Sequence, residues 1–195
     1  MERIRERDLT SLSHFYKMNL KSTIMDETAV NRAVARMTHE IIEKNRGTEG
    51  LCLLGVRRRG VPLAMMLQKN ILRFENVEVP VGSIDISLYR DDLTELSDQP
   101  SSGKSNIPFE VTGRKIIIVD DVIYTGRTAR AAIEAVFDCG RPMEIQLAVL
   151  IDRGHRELPI RPDYVGRNIP TSHTEVVSVS VQEIDGRTGV DLYQM

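Results

Sequence analysis

The chain has 195 residues, of which 41% are hydrophobic and 28% charged, and its formal net charge is −2. These values fit a folded globular domain and exclude a fibrous, collagen-like or strongly charged disordered protein. The small net charge provides no overall attraction to nucleic acid or membrane, so any polyanion site has to be a local patch.

The N-terminus is charged and lacks the apolar segment and cleavage site of a signal peptide. No apolar run approaches the ~20 residues that span a bilayer, and we therefore expect a cytoplasmic protein. Residues 1–24 are expected to form a loosely ordered extension, with one domain over residues 25–195. Cys52 and Cys139 stand in apolar surroundings without metal-binding spacing, so we expect two small buried side chains, with a disulfide or reactive thiol as the alternative.

Apolar residues at helical spacing (Val30, Val34, Met37 and Ile41) predict a helix over 26–46, capped by Asp26 and ended by Gly47. Continuous apolar runs at 51–56, 115–119 and 145–151 predict buried strands. The remaining predicted elements are helices at 61–72 and 128–139, strands at 77–89, 176–181 and 190–193, a flexible polar loop at 91–110, and an irregular segment at 152–175. Alternating strands and helices indicate an α/β fold with a mainly parallel sheet flanked by helices.

The string IIIVDDVIYTGRT, at residues 116–128, carries the clearest chemistry. The strand delivers Asp120 and Asp121 to its carboxyl end, where open α/β sheets bind ligands. Two carboxylates can accept hydrogen bonds from the 2′- and 3′-hydroxyls of a ribose. The turn Thr125–Thr128 leads into a helix, whose first amides and positive end favour a phosphate. A pure Mg²⁺ site, or an ordinary turn with a capping Thr, would also account for these residues.

Three arginines between glycines follow the first buried strand, in the sequence Gly55-Val56-Arg57-Arg58-Arg59-Gly60. Guanidinium groups and backbone amides at this end of a strand can bind a pyrophosphate, although a solvated basic turn has the same composition. Arg90 stands at the start of the polar loop. It is placed to enter the site if that loop closes, and a surface ion pair is the alternative.

The string at 116–128 closely resembles the phosphoribosyl-pyrophosphate (PRPP) signature of type I phosphoribosyltransferases. The resemblance implies their fold, with a flexible loop and a small hood at about 152–175, and displacement of pyrophosphate from PRPP by a base nitrogen. It implies Mg²⁺ carried with PRPP and pyrophosphate, and a cis peptide at Val56–Arg57 or Arg57–Arg58. The implied catalytic residues are Asp120, Asp121 and Arg90, and the implied PRPP- or nucleotide-binding residues are Arg57, Arg58, Arg59, Val119, Asp120, Asp121, Val122, Ile123, Tyr124, Thr125, Gly126, Arg127 and Thr128.

The hood carries the candidates for base recognition. Analogy with 6-oxopurine phosphoribosyltransferases nominates Tyr164 for stacking on the base and the Val165 backbone for hydrogen bonds. A core aromatic is an equally good interpretation of Tyr164. Asp152 and Arg153 leave the preceding strand close to the expected base. For His155 and Arg156 we favour hydrogen bonds that pin the hood.

The segments SIDISLYRDD (83–92) and IQLAVLIDRGHRELPIRPDYVGRNIPTS (145–172) resemble a narrower group, the bifunctional pyrimidine operon attenuators. That group implies binding of a pyrimidine operon leader mRNA under control of UMP or UTP, uracil phosphoribosyltransferase activity, and a homodimer or higher homo-oligomer. RNA-binding candidates are Arg32, Arg36, His39, Lys44, Arg141 and Arg167, and a solvated amphipathic helix face would explain the helical ones equally well. Ala35 stands where that group is expected to have a hydroxyl residue. Two alternatives stay open, a nucleotide sensor without catalysis and a purine salvage enzyme without an RNA role.

Overall fold

A computed structural model describes residues 18–87, Tyr89 and residues 105–195. Five parallel strands lie in the order β3-β2-β4-β5-β6, and three antiparallel strands form a second sheet in the order β1-β8-β7. The strands are β1 Asn19–Met25, β2 Leu51–Val56, β3 Val81–Ile84, β4 Lys115–Ile123, β5 Glu144–Asp152, β6 Tyr164–Asn168, β7 Glu175–Ser180 and β8 Gly189–Gln194; the helices are α1 Glu27–Asn45, α2 Gly60–Glu75, α3 Arg127–Asp138 and α4 Gln182–Asp185. The predicted α/β architecture is confirmed.

The central strands are buried on both faces, as their continuous apolar sequences predict. In β4, Ile117 and Val119 pack into the core beneath α1 and α2, whereas Ile116 and Ile118 pack into the core beneath α3. Cys52 of β2 also lies in the second core. Because successive side chains of a strand point to opposite faces, a strand between two helical layers must be apolar at every position.

The first helix forms for the reason that the sequence predicts. The Asp26 carboxylate accepts a hydrogen bond from the Ala29 N–H at 2.7 Å, and the apolar stripe of α1 is buried. The helix ends at Asn45, and Arg46 adopts a left-handed conformation one residue before Gly47, which the sequence predicts to end the helix.

Strand β1 corrects the prediction that the chain is loosely held up to residue 24. Residues 19–25 pair antiparallel with β8, and Thr23 donates a hydrogen bond from its hydroxyl to Asp191 at 2.9 Å. The pairing joins segments about 170 residues apart in the chain, so no local pattern could reveal it. Residues 1–17 lie outside the described residues.

Strand β3 is shorter than the predicted strand at 77–89. Beyond Ile84, the Asp85 carboxylate accepts hydrogen bonds from the backbone N–H and the hydroxyl of Ser87, which turn the chain out of the sheet. Asn106 exchanges two backbone hydrogen bonds with Ser83, so the last part of the predicted loop 91–110 lies against the edge of the sheet.

Cys139 is exposed rather than buried as predicted, because it lies one residue beyond the end of α3. Cys52 is fully buried, as expected. Among the described residues, no helix combines the length and apolar character needed to cross a bilayer.

Candidate active site

A cavity of about 370 Å³ opens at the carboxyl ends of β4 and β5. Its walls come from β4, the turn after it, the first turn of α3 and the hood. The lining residues are Asp120, Val122, Ile123, Tyr124, Thr125, Gly126, Arg127, Thr128, Ala129, Leu147, Val149 and Glu157. Eight of the thirteen residues in the string 116–128 thus surround one space, at the edge of the sheet where the sequence predicts a ligand.

The acidic pair lies within β4, which runs four residues further than the predicted strand. Asp120 faces the cavity, and its carboxylate accepts the Asp121 N–H at 2.9 Å. Asp121 accepts the Val122 N–H at 2.9 Å and lies within the electrostatic reach of Arg59. Burial raises the pKa of Asp121 above its ordinary range, and the hydrogen bond with Asp120 and the charge of Arg59 oppose that rise.

The turn after β4 provides a site for an anion. Helix α3 begins at Arg127, and the amides of its first turn have no acceptor within the helix. Gly126 precedes the helix at φ +95°, a backbone conformation that favours glycine, and an added β-carbon would contact Cβ of Leu158 at 3.4 Å. Gly126 therefore serves the turn itself, in addition to allowing close approach of a ligand.

The triple-arginine turn contains a cis peptide between Arg57 and Arg58, one of the two positions that the family resemblance predicts. Arg57 and Arg58 are exposed and make no ion pair with any described residue. Arg59 differs, since its Nε and one terminal nitrogen donate hydrogen bonds to the two carboxylate oxygens of Asp185, at 3.1 and 2.8 Å. Within the described part of the chain, the turn thus presents two guanidinium groups without an ion pair and one, that of Arg59, held by Asp185.

The hood residues form hydrogen bonds with one another and with the chain at the end of β4. The Asp152 carboxylate binds the Gly154 N–H and the Arg156 guanidinium, and Arg156 also donates to the Tyr124 carbonyl at 2.7 Å. Arg153 is almost fully buried, donates to the Glu175 carbonyl at 2.6 Å, and lies with its guanidinium carbon 4.2 Å from the centre of the Tyr124 ring. The Arg156 contacts agree with the pinning role that the sequence analysis favours.

His155 contributes to the same packing. Its Nε2 lies 2.6 Å from the Thr171 carbonyl oxygen, and its ring centre lies 4.1 Å from that of His173. His173, which carries no signal in the sequence, is thus part of the hood.

Tyr164 does not stack on a base in this arrangement. Its ring is buried on the α1 side of the sheet, and its hydroxyl donates to Gln146 at 2.7 Å and accepts from Asn45 at 3.1 Å. It begins β6 opposite Ala148 of β5, and both residues lie in the core beneath α1 and α2, whereas the cavity-lining Leu147 and Val149 lie on the other face of the sheet. The burial of its ring favours the core-aromatic interpretation. The Val165 carbonyl is occupied by Arg36 at 2.9 Å.

Three of the six RNA-binding candidates lie along the edge strand β6, two on α1 and one in the strand itself. Arg36 donates to the Val165 and Gly166 carbonyls, Lys44 pairs with Asp163, and Arg167 donates to the Ile24 carbonyl at 2.7 Å. We call Arg36, Lys44 and Arg167 the β6 basic edge.

The other candidates are more scattered. Arg32 is exposed on α1, and His39 is exposed and stacks on Phe74 of α2 with ring centres 4.2 Å apart. Arg141 lies in the connection from α3 to β5, where its carbonyl accepts the Gly113 N–H.

Two acidic residues that were not predicted pair with arginines of the site, and one predicted arginine is not described. Arg90 lies outside the described residues. Glu157 and Asp185, which the sequence analysis missed, hold Arg127 and Arg59 by ion pairs of 2.8 Å. No motif marks either acid, because each partner lies at least 30 residues away in the chain.

A Mg²⁺ ion carried with PRPP would need oxygen ligands at the cavity. Among the described residues, no three acidic, His or Cys side chains converge to hold a metal ion. The cavity brings the Asp120 carboxylate beside the anion-binding turn, where it could hold a Mg²⁺ ion that arrives with PRPP.

Comparison with known sequences agrees with this geometry. The family model of the phosphoribosyl transferase domain matches residues 21–184. The chain is 60% identical over 178 residues to the "Bifunctional protein PyrR" of Clostridium kluyveri, covering 91% of this chain and 100% of that protein. It is 55% identical over 177 residues to the protein of the same name from Thermus thermophilus, covering 91% and 98%.

Solved structures share the fold at low sequence identity. A hypoxanthine phosphoribosyltransferase from Trypanosoma cruzi superposes with a TM-score of 0.69 at 22% identity, covering 90% of this chain and 96% of that chain. A hypoxanthine phosphoribosyltransferase from Staphylococcus aureus gives 0.64 at 18% identity, covering 88% and 92%.

Proposed function

Since this chain belongs to the phosphoribosyltransferase family and, within it, to the bifunctional PyrR proteins, we propose that it converts uracil and PRPP to UMP and pyrophosphate and regulates pyrimidine operon transcription by binding leader mRNA. The observation that carries the enzymatic half is the cavity in which Asp120 and the first turn of α3 face one space. The triple-arginine turn is close to it, because Gly60 packs against Val119 and Asp120.

The roles of the residues follow from the charges of PRPP. Asp120 and Asp121 accept hydrogen bonds from the ribose hydroxyls, and the amides and hydroxyls of Thr125–Thr128 bind the 5′-phosphate. Arg57 and Arg58 bind the pyrophosphate group as it leaves, and Arg90 completes this positive environment. Because the transition state has oxocarbenium character, fixing the ribose and stabilising the departing negative charge are the main contributions to rate.

Base recognition belongs to the hood. Arg153 and Tyr124 stack on each other next to the cavity, and the Asp152–Arg156 ion pair fixes the chain that surrounds them. Mg²⁺ supplies charge neutralisation on PRPP and pyrophosphate when it is bound with them. Asp120 lines the cavity and would hold this cation from the side of the protein.

For the regulatory half, the β6 basic edge supplies the cations that RNA binding requires in a chain of nearly neutral charge, with Arg36 and Lys44 also paired to Glu40 and Asp163. UMP or UTP in the active site favours the RNA-binding state, which requires a higher nucleotide affinity in that state. The protein acts in the cytoplasm as a homodimer or higher homo-oligomer, so that two basic edges contribute to one RNA surface.

A turnover assay with uracil and PRPP, run with and without a pyrimidine leader RNA, tests both halves. We expect UMP and pyrophosphate to form, and we expect UMP to tighten RNA binding in a filter titration. UMP binding without turnover would favour the sensor without catalysis, and preference for hypoxanthine or guanine over uracil would favour a purine salvage enzyme. An RNA affinity that does not respond to UMP would refute the regulatory half.

A further inference from the structure

Asp185 is joined to the triple-arginine turn although it lies 126 residues further along the chain. Its two carboxylate oxygens accept hydrogen bonds from Arg59, and the side chains of Arg59 and Asp185 are only 36% and 21% exposed. A guanidinium group held through two nitrogens has a fixed orientation as well as a fixed position. Arg59 is thus fixed where Arg57 and Arg58 have no such partner among the described residues.

Asp185 is itself held in place before it meets Arg59. Its Oδ2 atom accepts the Val181 N–H at 2.9 Å, and its own N–H donates to the Val181 carbonyl at 2.8 Å. Val181 is buried, and the chain turns at Gly186 before it enters β8. These contacts fix the carboxylate relative to the core, so it can act as a firm anchor for a side chain on another element.

Arg59 is also the arginine closest in sequence to the contact between the turn and β4. The next residue, Gly60, packs directly against the Val119 carbonyl, and the positive charge of Arg59 acts on Asp121. The guanidinium group of Arg59 is therefore hydrogen-bonded to Asp185 and lies within the electrostatic reach of a second carboxylate, Asp121. An arginine so neutralised is suited to hold the turn in shape rather than to carry the leaving group.

We propose that Asp185 is a positioning residue, which fixes Arg59 and thereby holds the Arg57–Arg58 turn in the geometry that binds the pyrophosphate of PRPP. This role rests on the proposed phosphoribosyltransferase function. It predicts an effect on PRPP affinity rather than on stability, because partly exposed ion pairs contribute little to folding.

The test compares Asp185→Asn with Glu183→Gln, a matched control that removes an exposed carboxylate from the same short helix. We expect Asp185→Asn to raise KM for PRPP about fivefold to tenfold, because a charge-assisted pair is lost. In Asp185→Asn, KM for uracil should change by less than about twofold and the thermal midpoint by only a few degrees. In Glu183→Gln, KM for PRPP should also change by less than about twofold. Asp185→Glu should recover part of the PRPP affinity, since it keeps the charge.

A double-variant comparison separates this role from a general structural one. In an Arg59→Met background, Asp185→Asn should have no further effect on KM for PRPP, because its partner is gone. A full additional loss in that background, or an unchanged KM in the single variant, would overturn the proposal.

Calorimetric titration with PRPP distinguishes failure of this proposal from failure of the proposed function. If the wild-type protein binds PRPP without forming UMP, the catalytic function fails, and weaker PRPP binding by Asp185→Asn still supports the positioning role. Equal PRPP binding by the two proteins would contradict it. Absence of PRPP binding by the wild type would overturn both.

Discussion

Gly60 lies so close to Val119 that a β-carbon on Gly60 would be 2.3 Å from the Val119 carbonyl oxygen. Each of these two residues is next to a predicted site residue in the chain, since Arg59 precedes Gly60 and Asp120 follows Val119. The contact therefore sets the spacing between the triple-arginine turn and the acidic pair. Gly55 shows the same crowding on the other side of the turn, where a β-carbon would be 2.5 Å from the Val61 α-carbon.

Gly60→Ala should separate the turn from β4, because neither backbone can yield without moving the Val119 carbonyl or the start of α2. We expect KM for PRPP to rise at least about tenfold, with the protein destabilised by ~1–3 kcal/mol, the range for overpacking a closely packed site. Steady-state kinetics and urea unfolding measure the two effects.

Gly113→Asn is the control for that substitution. Gly113 has a φ of +74° with open space around its α-carbon, and asparagine tolerates this conformation. Normal PRPP kinetics in Gly60→Ala would show that the contact does not determine the geometry of the site.

Asp120→Asn and Asp121→Asn should each weaken PRPP binding and slow turnover, because each replaces a charged acceptor with a neutral amide. We expect kcat/KM for PRPP to fall by about tenfold or more in each variant, as charge-assisted hydrogen bonds are lost. Glu43→Gln, which removes an exposed carboxylate from α1, should behave like the wild type. Wild-type kinetics in both Asp variants would contradict the assigned role.

The raised pKa of Asp121 adds a pH dependence. As the pH falls, this carboxylate takes up a proton at a higher pH than an ordinary Asp does, because burial disfavours its charged form. PRPP affinity of the wild type should therefore begin to fall above the ordinary range for carboxyl groups. PRPP binding by Asp121→Asn, measured over the same pH range, is the control. In this variant the PRPP phosphates still take up protons, but the carboxyl group of residue 121 is absent. Identical profiles for the two proteins would remove Asp121 from the explanation.

Tyr164→Phe tests whether Tyr164 belongs to the core or to the base site. The substitution removes a buried hydroxyl that bonds to Gln146 and Asn45, so we expect a loss of ~1–2 kcal/mol in unfolding free energy with KM for uracil unchanged. Tyr193→Phe is the control, since no hydrogen bond from its hydroxyl is found among the described residues. A large rise in KM for uracil would restore the stacking role.

The ionisation of Tyr164 gives an independent check. Burial raises its pKa to about 12, while an unfolded tyrosine ionises near its ordinary value of 10.0. The folded state retains this proton to higher pH than the unfolded state does, so stability should fall as the pH rises from about 10 to about 12. Tyr164→Phe should weaken this fall, and ultraviolet titration of the phenolate together with thermal unfolding measures it.

Arg36→Ala combined with Arg167→Ala should weaken leader RNA binding by at least about fivefold and reduce its salt dependence, because two cations leave the β6 basic edge. Uracil turnover should be retained, since neither side chain lines the cavity. Lys69→Ala removes an exposed cation from α2 and should leave RNA binding unchanged. Equal loss of RNA binding and turnover in the double variant would point to misfolding.

The sequence predicts the central part of the fold well because its signals are local. Continuous apolar runs identify β2, β4 and β5, and the cap at Asp26 with its apolar stripe identifies α1. The acidic pair, the turn and the helix after them are contiguous, so their meeting in one cavity needs only the ordinary geometry of a β–α unit. The family resemblance also predicts the cis peptide at Arg57–Arg58.

The sequence-based predictions that differ from the structure concern contacts between segments far apart in the chain. β1 reads as a polar extension because most of its side chains are exposed, and only its hydrogen bonds to β8 make it a strand. Tyr164 has the sequence context of a base-stacking residue, yet the alternation of side chains across the sheet puts it on the opposite face from the cavity-lining Leu147 and Val149.

By itself, the sequence determines which groups are present for PRPP and in what order they follow a buried strand, because hydrophobic pattern and turn chemistry act over a few residues. Only the tertiary structure decides which arginines are held by a distant partner. Asp185 pairs with Arg59 and Glu157 with Arg127, and backbone carbonyls of the hood accept hydrogen bonds from Arg153 and Arg36. Such pairings depend on how the completed sheets bring distant side chains within hydrogen-bonding distance, and no short stretch of sequence contains that information.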